Sequence, residues 1–178
     1  MAIAGIHHMS FTVADLERTV AFYRDGVGMR LGERKHRQAA DLGTALFGEP
    51  EGGLAGAAPH LAGAARDSGV AGDLCVQSAE ILIADMELGG VRMEFIQYVD
   101  PAGRPYPGDP SVAGSAHIAI LTQDIESEFR RLQAAGVRFH TPVRTVRDPG
   151  RPVWRWCYFR DPDGICVELV ESQEEVHA

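Results

Sequence analysis

Two histidines and two glutamates in this chain of 178 residues could together bind a metal ion. His8 and His117 lie 117 − 8 = 109 positions apart, and Glu94 and Glu168 lie 168 − 94 = 74 positions apart. Neutral imidazole and carboxylate suit a divalent transition metal, and zinc, nickel, cobalt, manganese and iron all accept this donor set. We therefore predict one divalent metal ion, whose identity the ligands do not specify.

These candidate ligands recur because the chain repeats a pattern of elements. Ile6 to Asp25 (IHHMSFTVADLERTVAFYRD) matches Ser115 to Ala134 (SAHIAILTQDIESEFRRLQA), and Gly89 to Gln97 (GGVRMEFIQ) matches Asp163 to Glu171 (DGICVELVE). In each copy the His lies in a half-buried strand before an amphipathic helix, and the Glu lies in a later strand. A two-fold pairing of the copies would bring equivalent residues together, which favours a shared four-ligand site.

The first copy carries an insertion, because the two offsets differ by 109 − 74 = 35 residues. Most of it lies in a loop at about 36–77 that is rich in Gly and Ala and has little periodicity. Loops of this length are usually functional or disordered. We expect it to cover the site as a flap and to hold a short helix at 57–65.

Periodicity and turn residues predict the remaining elements in order. The predicted elements are a strand at Gly5 to Val13, a helix from Asp15 that ends at Gly26 or Gly28, a strand at Met29 to Lys35, a hairpin of Glu80 to Met86 and Val91 to Tyr98 around Gly89-Gly90, a linker at Asp100 to Pro110, a strand at Gly114 to Thr122, a helix at Ile125 to Ala135, a strand at Val137 to Val143 broken by Pro142, and a hairpin of Val153 to Arg160 and Ile165 to Glu171.

Strand alternation places polar side chains beside the first candidate histidine. Ser10 and Thr12 share the predicted face of His8, whereas His7 points to the opposite face and is interpreted as structural. A polar face is unusual for a core strand unless it lines a site. We therefore expect Ser10 and Thr12 to contact a substrate.

Arg92 precedes Glu94 by two residues and therefore shares its face. It could bind an anionic substrate, or it could pair with Glu94 or Glu168. The sequence leaves both alternatives open.

The turn Asp161 to Gly164 decides which aromatic residues face Glu168. Its sequence, DPDG, favours a three-residue hairpin loop with a glycine bulge, which places Tyr158 opposite Glu168. Trp154, Trp156 and Tyr158 then share the face of Glu168, and a loop of another length would reverse this. These aromatics either wall the substrate cavity or belong to the core.

Composition limits the classes of partner and compartment. The net charge is −8 and no long basic run occurs, which argues against nucleic acid and anionic membranes. No stretch is apolar enough to span a bilayer, and the N-terminus lacks the pattern of a secretory signal. Cys75, Cys157 and Cys166 show no CxxC spacing, which fits a reducing compartment. We expect a cytoplasmic protein that binds a small molecule.

The chain resembles the vicinal oxygen chelate superfamily. The stretches that carry the resemblance are HHMSFTVADLERTVAFYRDGVG, VRMEFIQ, AHIAILTQDIESEFRRLQAAGV and YFRDPDGICVELVE. This superfamily includes glyoxalase I, methylmalonyl-CoA epimerase, fosfomycin-resistance thiol transferases, extradiol dioxygenases and bleomycin-binding proteins. The resemblance implies an α+β fold in which two βαβββ modules form a curved mixed sheet around a metal-binding cavity. It implies one domain over 1–178, with module one at 5–99 and module two at 114–172.

The resemblance also implies the metal ligands and the reaction class. Family ligands carry over onto His8, Glu94, His117 and Glu168, and the ligand pattern is most similar to glyoxalase I and methylmalonyl-CoA epimerase. The leading hypothesis is a lyase, isomerase or epimerase that removes a proton α to a carbonyl and holds the enediolate on the metal. Glu94 or Glu168 would be the general base.

Two alternatives remain at this stage. A ring-cleaving Fe(II) dioxygenase would use a facial triad of His8, His117 and Glu168, with Glu94 off the metal. A non-catalytic protein would bind a small molecule or an antibiotic in the same cavity. Under each of these hypotheses, including the leading one, we expect a homodimer, because exposed sheet edges need cover.

Overall fold

The computed structural model describes residues 3–38, 80–100, 102–103, 108–150 and 152–172. These residues form eight strands and two helices. The strands are β1 (Met9–Thr12), β2 (Arg30–Gln38), β3 (Glu80–Leu88), β4 (Val91–Asp100), β5 (His117–Leu121), β6 (Arg144–Val146), β7 (Trp154–Arg160) and β8 (Cys166–Ser172). The helices are α1 (Leu16–Ala21), which continues as a π-helix over Phe22–Val27, and α2 (Ile125–Ala134). Apart from its first residues, which belong to β2, the predicted loop at 36–77 with its flap and short helix lies outside the described residues.

Each module forms a four-stranded mixed sheet with equivalent connections. The strand orders are β1-β4-β3-β2 and β5-β8-β7-β6. In each sheet the first strand in the sequence pairs in parallel with the last in the sequence, β1 with β4 and β5 with β8. The predicted α+β fold of two βαβββ modules is therefore confirmed. The chain divides into two compact units, residues 1–16 with 32–103 and residues 17–31 with 104–178. A single domain over residues 1–178 stays a prediction.

The helix of module one belongs to the unit that contains the second sheet. The Tyr23 hydroxyl donates to Asp161 Oδ2 at 3.0 Å, and the Thr19 hydroxyl donates to Asp163 Oδ2 at 2.9 Å. Val20 and Tyr23 are buried. Gly28 ends the helical segment at φ 89°, a left-handed conformation that glycine adopts without strain. The helix end predicted at Gly26 or Gly28 is therefore confirmed at Gly28.

Both modules hold the first turn of their helix in the same way. The Leu16 N–H donates to Gln97 Oε1 and the Ile125 N–H donates to Glu171 Oε2, each at 2.8 Å. Leu16 and Ile125 are related by the 109-residue offset, and the two acceptors by the 74-residue offset. The first N–H groups of a helix lack partners inside the helix, so these side chains satisfy them from the last strand.

The two predicted hairpins form with the expected turns. Gly89 and Gly90 both have positive φ, at 56° and 79°, as a two-residue turn of type I′ requires. In the second hairpin the Gly164 N–H donates to the Asp161 carbonyl at 3.1 Å, and the Asp161 N–H donates to the Ile165 carbonyl at 3.0 Å. The register predicted for this hairpin is therefore confirmed.

Three strand predictions are wrong. The first strand begins at Met9 and not at Gly5, since Met9 is its first residue to pair with β4. The matching strand of module two begins at His117 and not at Gly114, since His117 is its first residue to pair with β8. The segment 137–143 forms only an isolated bridge between Phe139 and Phe159. The edge strand β6 follows it at 144–146, because Pro142 has no N–H to donate to a ladder.

No helix in the described parts of the chain is long and apolar enough to cross a membrane.

Candidate metal centre and substrate pocket

Module one brings His8 to Glu94. Ser10 pairs with Glu94 in the parallel ladder between β1 and β4, and His8 precedes Ser10 by two residues. His8 Nε2 lies 3.7 Å from Glu94 Oε2, and the two side chains are 34% and 17% exposed. The two candidate ligands of this module are therefore in contact, with His8 just before β1 and Glu94 on the neighbouring strand β4.

Module two repeats this arrangement with His117 and Glu168. His117 pairs with Cys166 and Ala119 pairs with Glu168 in the ladder between β5 and β8. His117 Nε2 lies 3.2 Å from Glu168 Oε2, and the Glu168 side chain is 10% exposed. The His–Glu pair thus forms twice, at positions related by the repeat.

The donor atoms of each pair fit a shared metal ion. Two ligands on zinc, each bound at about 2.1 Å, have donor atoms about 3.0–3.4 Å apart. The observed distances of 3.2 and 3.7 Å are close to this range. No cluster of three or more His, Cys, Asp or Glu side chains suited to a metal occurs within the described residues. The assignment of His8, Glu94, His117 and Glu168 to one ion therefore stays a prediction.

His7 does not point away from the candidate site. Its Nδ1 lies 2.8 Å from His8 Nδ1, and Arg92 Nη2 lies 2.9 Å from the same His7 atom. The prediction of an opposite face is wrong, because strand alternation begins only at Met9. Arg92 contacts His7, and its expected binding of an anionic substrate or a glutamate stays a prediction.

Two further polar residues lie on the first strand. Ser10 and Thr12 are both exposed, and they pair with Glu94 and Ile96 respectively. Their predicted contact with a substrate stays a prediction.

An acidic residue that the sequence analysis missed lies directly opposite Glu94. Asp85 pairs with Glu94 between β3 and β4 and is 6% exposed. Its Oδ2 accepts a hydrogen bond from Lys35 Nζ at 2.9 Å, and this bond raises the Lys35 pKa. The sequence signal that could have identified Asp85 is an acidic residue inside the otherwise apolar run ILIADM.

The aromatic wall, Trp154, Trp156 and Tyr158, shares the face of Glu168. Tyr158 pairs with Glu168 in the antiparallel ladder, as predicted. The ring centroid of Tyr158 lies 5.3 Å from that of Trp156 and 6.1 Å from that of His117. Burial and the adjacent Glu168 carboxylate, to which its hydroxyl donates, raise the Tyr158 pKa. Tyr158 therefore keeps its proton as a hydrogen-bond donor at neutral pH.

A pocket of about 400 Å³ opens beside this wall in module two. It is lined by Pro110, Ser115, Ala116, His117, His140, Thr141, Tyr158, Arg160 and Cys166. Of these, only His117 and Tyr158 were predicted site residues. Arg160 follows Tyr158 by two residues on the same strand, so alternation could have found it. His140 and Thr141 lie in an irregular segment, where the sequence carries no comparable signal.

Comparison with known proteins shows similarity along almost the whole chain. A sequence model of the Glyoxalase/Bleomycin resistance protein/Dioxygenase superfamily matches residues 5–169. The chain is 25% identical over 174 residues to 2-epi-5-epi-valiolone epimerase from an Actinomyces species, covering 93% of this chain and 78% of the epimerase.

Solved structures show the same fold. A glyoxalase family protein from Bacillus cereus is 21% identical with a TM-score of 0.65, and the match covers 98% of this chain and 99% of that protein. TnmS3, an antibiotic binding protein from a Streptomyces species, is 17% identical with a TM-score of 0.53, and the match covers 97% and 99% of the two chains.

Proposed function

Because the chain belongs to the Glyoxalase/Bleomycin resistance protein/Dioxygenase superfamily, we propose that it is a metal-dependent lyase, isomerase or epimerase. The observation that carries this proposal is the duplicated His–Glu pair, with Nε2–Oε2 distances of 3.7 and 3.2 Å. Two neutral nitrogens and two carboxylates would hold one divalent ion. When bound, the ion would supply Lewis-acid stabilisation to the oxygens of a substrate.

The proposed reaction is removal of a proton α to a carbonyl. Glu94 is the better candidate for the general base, because its side chain is more exposed than that of Glu168. Glu168 also accepts a hydrogen bond from Tyr158, which holds it in place. The proton would move from the substrate carbon to a Glu94 oxygen, and an isomerase would return it from Glu94 to the neighbouring carbon. Inversion in an epimerase would need a second proton donor on the opposite face, for which Glu168 is the candidate.

The similar epimerase favours a small oxygen-rich carbonyl compound as the substrate. The aromatic wall offers flat apolar surface to a ring. Because the Tyr158 hydroxyl donates to Glu168, its oxygen offers an acceptor to a substrate hydroxyl. In module one the face of Glu94 also carries a buried apolar cluster, formed by Ile81, Ile83 and Ile96 with Tyr98 packed against it.

The first prediction tests Glu94 as the base. Glu94→Gln keeps an oxygen ligand and removes the basicity, so the metal should stay bound somewhat more weakly. Exchange of the α-proton of small 2-hydroxy ketones with solvent deuterium, followed by NMR, should fall about 10²–10⁴-fold. Glu33→Gln, the same change at an exposed position on β2, is the matched control and should exchange at the wild-type rate.

The outcomes separate the hypotheses. If Glu168→Gln abolishes exchange and Glu94→Gln does not, then Glu168 is the base. If neither Glu94→Gln nor Glu168→Gln changes the rate of proton exchange, the proposed enzyme activity is contradicted. Oxygen uptake with catechols by iron-loaded protein, insensitive to Glu94→Gln, would favour the dioxygenase alternative.

A non-catalytic binding protein is the second candidate function. The pocket beside the aromatic wall and the similarity in fold to an antibiotic binding protein favour it. Saturable binding of an aromatic ligand, without deuterium exchange under any metal, would support this candidate.

A further inference from the structure

Arg160 places a positive charge at the pocket in module two, in a chain whose net charge is −8. Arg160, His117 and His140 line it, and none of the described residues in its lining is acidic. We propose that this pocket binds an anionic group of the ligand, a carboxylate or a phosphate, and that Arg160 recognises it. The inference deepens the proposed function, because it places this anion beside the candidate ligand His117.

Arg160 is held in an orientation that suits this role. It is the last residue of β7, and its Nη1 donates to the Gly164 carbonyl at 2.6 Å. This bond uses one of the five N–H donors of the guanidinium group. A planar guanidinium binds carboxylate and phosphate oxygens through paired hydrogen bonds, so the remaining donors match either anion.

Two acidic residues lie near the pocket. Glu168 is held by His117 and Tyr158, with His117 Nε2 3.2 Å from its Oε2 and the Tyr158 hydroxyl donating to it. Asp109 is the one that could compete for Arg160. Its Oδ1 accepts hydrogen bonds from the Ser111 hydroxyl at 2.7 Å and from the Ser111 N–H at 2.9 Å. These bonds, and to a smaller extent the charge of Arg160, lower the Asp109 pKa. Asp109 is fully exposed and does not line the pocket. Its charge is therefore screened by water, whereas a bound anion would lie inside the pocket.

Thr141 supplies an uncharged donor to the same pocket. Its Oγ1 is buried and has no hydrogen-bond partner in the part of the chain that the structure describes. The segment is anchored to β7, because the His140 N–H donates to the Tyr158 carbonyl at 2.8 Å. A buried hydroxyl without a partner is unfavourable, so a ligand oxygen at this position would satisfy it.

The size of the pocket limits the ligand to a small molecule. Its volume of about 400 Å³ lies near the lower end of the range for small-molecule sites. The Cys166 side chain also lines it, and Cys166 is partly exposed. Alkylation of Cys166 can therefore report occupancy of the pocket.

The test uses chelator-treated, metal-free protein, so that it does not depend on catalysis. Phosphate or acetate is titrated at constant ionic strength, and iodoacetamide labelling of Cys166 is followed by peptide mass spectrometry. We expect one of the two anions to protect Cys166 saturably. Cys157 is the internal reference for unfolding, because it is buried and burial raises its pKa to about 11.

Variants assign the protection to the pocket. Arg160→Gln should weaken protection about tenfold or more, and Thr141→Val should weaken it to a smaller extent. Arg130→Gln, which removes an exposed charge from α2, should leave protection unchanged. Arg160→Lys keeps the charge and should restore part of the affinity if Arg160→Gln folds poorly.

Two results would overturn the inference. One is the absence of saturable protection by either anion in the wild-type protein, and the other is equal protection in folded Arg160→Gln. Metal content separates this inference from the proposed function, because Arg160→Gln should bind metal like the wild type. Wild-type protein that exchanges α-protons but shows no anion protection would overturn this inference alone, and wild-type protein that shows protection without exchange would overturn the proposed function alone.

Discussion

At the scale of single residues, each candidate ligand pair brings one imidazole nitrogen within 4 Å of one carboxylate oxygen. The two pairs differ in their surroundings. His8 contacts a second histidine, whereas His117 lies against the ring of Tyr158. Because partners beyond the ligands tune affinity for a metal, the two histidines should differ in how strongly their neighbours affect binding.

The second prediction concerns metal stoichiometry. The wild-type protein should bind one ion per chain, and His117→Ala should lose most of it, because the remaining ligands under-fill the site. Metal analysis after dialysis measures both values. If the His–Glu pairs bound ions independently, the wild type would hold two ions and His117→Ala would keep one at unchanged affinity.

The third prediction uses His7, which contacts the candidate ligand His8 without being one. His7→Ala removes a hydrogen-bond partner of His8 and should weaken metal binding by about tenfold to a hundredfold, while the full stoichiometry remains reachable. Titration with a fluorescent zinc chelator as competitor measures the affinity. A loss of stoichiometry equal to that of His117→Ala would make His7 a ligand.

At the scale of elements, α1 is bound to the turn between β7 and β8. Arg18 and Thr19 contact the Asp163 carboxylate, and Tyr23 contacts that of Asp161. Asp161 Oδ1 also accepts from the N–H groups of Asp163 and Ile165. The helix therefore supports the turn that sets the register between Tyr158 and Glu168.

The fourth prediction is that Tyr23→Phe destabilises this unit. The variant leaves the buried Asp161 carboxylate without one of its donors, at a cost of about 1–3 kcal/mol. For a chain of this length the thermal midpoint should fall by about 2–4 °C for each kcal/mol. Tyr98→Phe, on the first sheet, is the matched control, and an equal loss in both variants would contradict a specific role for the bond to Asp161.

At the scale of the whole molecule, each sheet has edge strands that pair on one side only within the described residues. β1 and β5 are such edges, and they expose Met9 (41%) and Leu121 (48%). Unpaired edges with apolar side chains favour association with another strand or chain.

The fifth prediction is a homodimer. Light scattering at micromolar concentration should give about 39 kDa, twice the 19.3 kDa of one chain. Charged substitutions on the β1 and β5 edges, Met9→Lys and Leu121→Lys, should show which edge takes part, because a buried lysine would weaken association. A mass of one chain for the wild type would contradict the prediction.

Local signals were sufficient where the determinants lie close together in the chain. Gly89-Gly90 and the DPDG turn specify their hairpins within a few residues, so the facing of Glu168 and Tyr158 followed from loop length and alternation. The start of β1 was mispredicted because alternation alone does not show where pairing with β4 begins, and β4 lies about 80 residues away in the sequence. Arg160 was missed although the same alternation places it beside Tyr158.

The sequence by itself determined the two modules and the His–Glu pair of each. A repeat at fixed offsets requires equivalent residues to occupy equivalent positions, and β1 and β5 each pair in parallel with the strand that carries the Glu, so the His at or just before each first strand lies near its Glu. Only the tertiary structure decided that α1 joins the second sheet and that Thr141 enters the pocket. Both depend on contacts between distant segments, where buried polar groups select a partner that no local pattern encodes.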